Sequence, residues 1–178
     1  MFLLDYQKPG RAADDVARIY DHFKGRAEVP GPLQLLSASP ELLRLQFEQI
    51  GYFMRHERLN FPVLAAIRFL ASQQACFDHC RSLNRSWLTK AGLTGEDLEN
   101  LTGGADAGAF SAEENALLRF VRKVLAREAT DPRDIRELRE LGWRDSDILD
   151  ACAQGTALVG MSILFDAFSE RKSPDMPG

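Results

Sequence analysis

Apolar residues recur along this chain at helical spacing, and no stretch alternates in the manner of a strand. Between Arg11 and Lys24, Val16, Ile19, Tyr20 and Phe23 form one stripe, and Gly25 is a natural stop. The stretch EVPGPLQLLSASP follows, and its Pro30, Gly31 and Pro32 predict a non-helical link. Ser39 reads as an N-cap with Pro40 at the first helical position. That helix carries Leu42, Leu43, Leu45, Phe47, Ile50 and Phe53 and ends near His56. Asn60 caps a further helix, with Val63, Ile67 and Leu70, reaching about Gln74. Another starts around Cys76 and runs to Lys90, with Gly92 placed for a left-handed cap. TGED at 94–97 opens a short helix, and TGGADAGAF is a loop. Ser111 and Glu114 form a capping box ahead of Leu117, Phe120, Val121 and Val124. Asp131–Pro132 starts a helix with Ile135, Leu138 and Leu141, which Gly142 ends. The last helix runs from about Asp145 to Phe168. Its small-residue stretch ACAQGTALVG suits either close packing in a core or a subunit interface. The pattern predicts an all-α bundle of seven or eight helices in one domain spanning residues 1–178.

Composition narrows the function classes. The 178 residues carry a net charge of −4, and the arginines are scattered among acids. A nucleic-acid-binding surface needs a basic face, so nucleic acid is not an expected partner. No apolar run reads as long enough to span a membrane, and the N-terminus MFLLDYQKPG lacks the basic region of a signal peptide. Three cysteines do not make a disulfide scaffold at this length. The expectation is a cytoplasmic protein with free thiols and no membrane partner.

The chemistry-bearing stretch is QQACFDHCRSLN, which gathers Cys76, His79 and Cys80 within five residues near a helix start. A thiolate is favoured at a helix N-terminus, so Cys80 or Cys76 could act as a redox nucleophile with His79 as base or ion-pair partner. The i, i+3, i+4 spacing could also hold zinc, with a further ligand drawn from His56, Glu57 or Cys152. Both cysteines could equally be small core residues. His56 and Glu57 could form a second polar pair near a pocket or simply be an exposed helix end, and Trp87 and Trp143 could line an apolar pocket or simply pack.

The run from Cys80, CRSLNRSWLTKAG, continuing into LTGEDLENL, resembles the core of the carboxymuconolactone decarboxylase and alkyl hydroperoxidase D superfamily. VARIYDHF and VPGPLQLLSASPELLRLQF are similar to the N-terminal helices of its peroxidase-related branch. SAEENALLRFV and DIRELRELGWRDSDILDAC are similar to its C-terminal half. The resemblance covers roughly residues 10–168, with the core motif at about 60–101. It implies an AhpD-like helical bundle and a CxxCxxxH motif at a helix start. Counting back from Gly92, Cys80 falls on the peroxide-attacking cysteine, Phe77 on the resolving cysteine and Asn84 on the histidine. The glutamate of the family's proton relay falls on Ala65. Cys76 lies one residue before the resolving position, and His79 lies inside the motif at a place the family does not use.

The resemblance therefore implies a thiol-dependent, peroxidase-type antioxidant protein centred on Cys80. Cys76 or an external thiol would resolve the oxidised sulfur, His79 or Asn84 would support proton movement, and an external dithiol would act as reductant. It implies a small-molecule peroxide or other small ligand, a homo-oligomer, no cofactor and no metal. A catalytically lapsed binding or assembly module on the same scaffold is the alternative. A decarboxylase of the carboxymuconolactone type is a third, and it lacks its expected acid and base.

Overall fold

The computed structural model describes residues 2–25, 28–74 and 78–170, with residues 74 and 78–80 described through their backbone only. Among the described residues there are nine helices and no strand, so the all-α expectation holds. In chain order they are α1 (Asp14–Asp21), α2 (Gly31–Leu36), α3 (Pro40–Met54), α4 (Phe61–Gln74), α5 (Asp78–Lys90), α6 (Gly95–Gly103), α7 (Ala112–Leu125), α8 (Pro132–Glu140) and α9 (Asp145–Phe168). The extra helix is α2, which lies where the prolines predict a link. Pro30 is its N-cap and Pro32 sits in its first turn, where a missing N–H costs nothing.

The chain forms two compact units, one of residues up to Arg55 with those from Ile163 onward, the other of His56–Ser162. In the first, α3 packs against α1 and α2. Val16, Ile19, Leu33, Leu36, Leu43 and Phe53 are buried there. Phe2 pairs with Ser169 through a single backbone bridge, and its ring meets Tyr6 and Phe165 edge to face.

The second unit is built around α4. Val63, Leu64, Ala65, Ala66, Ile67, Phe69, Leu70, Ala71 and Ser72 are all buried, so this helix has almost no polar face. A helix apolar all round must be covered on every side, and α5, α6 and α7 cover it. The start of α9 closes in at Gly155, where an added Cβ would meet Leu125 and Ile67 at 3.3 and 3.4 Å. Part of the small-residue stretch of α9 is therefore close packing within one chain. The helix is also long and apolar enough by composition to cross a membrane, with 22 % of that window buried. The sequence reading runs the helix to Phe168 but finds no membrane-length apolar run, because Gln154, Gly155, Thr156 and Ser162 break it up.

This second unit contains one three-helix pattern twice. AAIRFL at 65–70 in α4 recurs as ALLRFV at 116–121 in α7. The caps match at the same spacing of 51: Asn60 accepts from Val63 N–H at 3.0 Å, and Ser111 accepts from Glu114 N–H at 3.3 Å. After α5 the chain turns through Gly92 at φ 100°, and after α8, 50 residues on, through Gly142 at φ 91°. Leu93 N–H reaches back to Leu88 C=O at 3.1 Å, and Trp143 N–H to Leu138 C=O at 3.0 Å. Asp97 then accepts from Thr94 N–H at 2.8 Å, and Asp147 from Arg144 N–H at 3.0 Å. Residues 91–100 and 141–150 carry the same order of exposed and buried positions.

The two copies hold each other reciprocally. The loop before α7 rests on the first copy, where Asp97 accepts from Gly108 N–H at 2.6 Å. The loop before α4 rests on the second, where Asp147 faces Arg58 Nε at 3.5 Å and His56 Nε2 at 3.9 Å. The Asp147 side chain is only 1 % exposed. Burial, the largest single influence, pushes its carboxyl up. The hydrogen bonds from Arg144, with the charges of Arg144 and Arg58, outweigh that and leave it below the usual range.

Two outcomes follow for stability. A Cβ at Gly92 meets nothing within 4 Å, and at Gly142 only Arg58 at 3.9 Å. Gly92→Ala and Gly142→Ala should therefore each cost about 1–2 kcal/mol through left-handed backbone strain alone, read as matched shifts in urea midpoint. The Asp147 stabilisation is present above the unfolded carboxylate value of about 3.9 and is lost as pH falls through the lower folded value. Asp147→Asn should be less stable than the parent chain by about 2 kcal/mol at neutral pH. That gap should shrink as urea titrations are repeated at falling pH.

Candidate functional site

The face of α4 that meets α5 carries one charged residue, Arg68, in a helix otherwise made of apolar and uncharged polar residues. Its Nε donates to Asn84 Oδ1 of α5 at 3.1 Å. Asn84 is 2 % exposed, so its amide is part of the packed helix interface. The Arg68 guanidinium lies over two rings, with its carbon 5.8 Å from the centre of Phe61 and 5.5 Å from that of Trp87. The two rings meet each other at 5.4 Å between centroids. Phe61 opens α4 and is 42 % exposed, while Arg68 and Trp87 are half-buried. An arginine, an amide and an aromatic pair thus form a surface cluster at the α4–α5 groove.

Cys80 is the third residue of α5 and lies one turn before Asn84, and Trp87 lies three residues beyond it. This register, i, i+4, i+7, puts Cys80, Asn84 and Trp87 on one side of the helix. The side chains of His79 and Cys80 lie outside the described residues, and so does Cys76 as a whole. The zinc reading of that stretch lies there with them. Among the described residues no group of three or more His, Cys, Asp or Glu is placed to hold a metal. Ala65, where the resemblance puts a relay glutamate, is fully buried.

His56 does not pair with Glu57. Its Nδ1 accepts from the N–H groups of Arg58 and Leu59 at 3.2 and 3.0 Å, and its Nε2 lies 3.2 Å from Asp150 Oδ2. An Nδ1 that accepts leaves the proton on Nε2, so the ring donates to the carboxylate. With its side chain 6 % exposed, His56 braces the loop before α4. Glu57 is exposed and reaches Arg144 at 3.9 Å. Trp143 is buried, donates its ring N–H to Glu113 C=O at 2.8 Å and lies under Arg58, so it packs and lines no groove. Burial alone pushes the Cys152 thiol up to about 11, which makes it inert at neutral pH. Sequence reasoning missed Arg68 and Phe61. The available signal was a lone arginine inside VLAAIRFLA, where a charge needs a reason.

No family model and no curated protein matches the sequence. Solved structures do match the fold. An uncharacterized peroxidase-related protein from Silicibacter sp. TM1040 superposes with a TM-score of 0.74 at 17 % identity, over 93 % of this chain and 87 % of that one. An uncharacterized peroxidase-related protein from Ralstonia eutropha JMP134, described as an alkylhydroperoxidase AhpD core, gives a TM-score of 0.70 at 19 % identity, over 97 % of this chain and 93 % of that one. The chain has the AhpD-like, all-α fold of these peroxidase-related proteins.

Proposed function

We propose that the chain is a thiol-dependent, peroxidase-type protein whose nucleophile is Cys80. The observation that carries this reading is the place of Cys80 in an AhpD-like fold. It stands in the first turn of α5, one turn before the buried Asn84, which accepts from Arg68. A helix N-terminus favours a thiolate over a thiol. In the reaction the thiolate attacks the terminal peroxide oxygen, and the O–O bond breaks. The other oxygen leaves as an alcohol after taking a proton, and the cysteine becomes a sulfenic acid. A second thiol, Cys76 or an external one, condenses with it and releases water, and a dithiol then reduces the disulfide.

A second reading, a lapsed module that binds without turnover, is favoured by two positions. Ala65 has no acid, and Asn84 is no base at neutral pH. The two readings part on one experiment. Under the first, Cys80 alkylates with a midpoint well below the free-thiol value of about 8.5, as mapped by mass spectrometry over a pH series. Cys152 serves as the unreactive internal control. Cys80→Ser then abolishes peroxide consumption in the presence of a small dithiol. A Cys80 that titrates like a free thiol, in a chain that consumes no peroxide, refutes the first reading in favour of the second.

A further inference from the structure

The third helix is poorly covered by its own unit. α3 packs on α1 and α2, yet of its 15 residues only Leu43 and Phe53 are buried. Leu42, Leu45 and Tyr52 are 47, 49 and 49 % exposed. With the half-buried Gln49 they stand at i, i+3, i+7 and i+10, the alternating three-and-four spacing of a helix seam. Leu43 lies off this row, on the side turned to the unit's core. A row of large apolar side chains left half exposed at seam spacing marks a contact surface.

The charges beside the row are ordered. Glu41, Glu48 and Arg55 recur every seven residues along one edge of it. Arg44, one turn along, serves both acids: it meets Glu41 at 2.6 Å and also pairs with Glu48. Arg55, the C-cap, is exposed at the other end. Its guanidinium folds back along α3, so that an added Cβ at Gly51 would lie 3.1 Å from Nη1. Among the described residues no carboxylate pairs with it. The edge thus runs from two acids that share one arginine to an arginine with no acid.

Such an edge complements itself only when reversed. Two α3 helices laid in the same direction set Glu41 against Glu41 and Arg55 against Arg55. Laid antiparallel, each Glu41 comes beside the partner's Arg55, Leu42 faces the partner's Tyr52, and Leu45 faces the partner's Gln49. We propose that this row is where two copies of the chain meet, α3 against antiparallel α3, about a two-fold axis at the level of Phe47. A membrane surface fits the row less well, because Glu41 and Glu48 border it and an anionic surface repels them. A helix of this length spans only about 22 Å, so the contact is at the small end of specific interfaces and the dimer depends on concentration. The pairing goes beyond the Cys80 reading and uses no thiol, so the two fail separately.

The test is sedimentation velocity of the full chain over a concentration series, with helix content followed by circular dichroism. The expected result is a monomer–dimer equilibrium. Leu45→Glu, at an exposed position, keeps the helix content and weakens association by more than about tenfold, because pairing would bury its carboxylate. Glu41→Arg and Arg55→Glu each weaken it about tenfold, since each reversal acts twice across the two-fold axis. An equimolar mixture of those two variants associates as the parent chain does, because each reversed charge then meets its opposite on the other copy. Cys80→Ser associates as the parent does. A chain that stays monomeric up to the highest concentration, and so leaves the row to a different protein, overturns the proposal. So does association that Leu45→Glu leaves unchanged, which would place the contact elsewhere. So does a mixture of the charge variants that associates no better than either alone. None of these results bears on Cys80 alkylation.

Discussion

The second unit of this protein is constrained by α4, a helix with almost nothing polar to show to water. Nine of its fourteen residues are buried hydrophobic or small side chains. Burying a Val, Leu, Ile or Phe side chain contributes about 1.5–3 kcal/mol, so leaving any side of α4 uncovered is costly. α5, α6 and α7 therefore pack around it, and α9 closes in at Gly155. A charge on such a helix survives only at a rim, where its head reaches other polar or aromatic groups. Arg68 meets that condition by donating to Asn84 and lying over Phe61 and Trp87. The need to cover α4 and the existence of the α4–α5 cluster are thus one constraint seen from two ends.

Much of the fold is legible in the sequence because local signals and tertiary packing agree. Ser111 with Glu114 and Asp131 with Pro132 start helices by satisfying exposed backbone N–H groups, and they do so in the structure. Gly92 and Gly142 adopt the left-handed cap that their places suggest. The exception is α2, where Pro30, Gly31 and Pro32 read as a break. Proline forbids a helix interior but suits a helix start, and a short helix is nearly all start. The span of α9 was legible, but its apolar character was hidden for a different reason, since scattered Gly, Thr, Ser and Gln lower the apolar signal without interrupting the backbone.

The candidate site was less legible. Cys76, His79 and Cys80 attract attention because their side chains are chemically loud, yet spacing along a helix does not state what faces them. Asn84 was named through the resemblance, and its hydrogen bond to Arg68 crosses between two helices, which no local pattern encodes. Of the two readings of His56 and Glu57, the polar pair does not form, because adjacent residues in a loop diverge, while Asp147 and Asp150 reach His56 from far along the chain. The repeat itself was present in the sequence as AAIRFL and ALLRFV, but six residues are too few to stand out. What secures it is the matching of caps, left-handed glycines and burial order around them.

The repeat also explains which polar residues belong to the scaffold. Asp97 and Asp147 occupy one register, cap the same turn and receive the loop of the opposite copy. A residue doing this in both copies is held there by closure of the fold, whatever chemistry the protein performs. His56 belongs to that closure, since both of its ring nitrogens are spent on the loop and on Asp150. Trp87, Phe61 and Asn84 differ, because their counterparts Glu137, Ala112 and Asp134 build a different surface on the same backbone. The same backbone pattern carries both surfaces, one in each copy. The first copy's amide and rings are instead set around Arg68, whose Nε donates to the buried Asn84 while its guanidinium lies over Phe61 and Trp87.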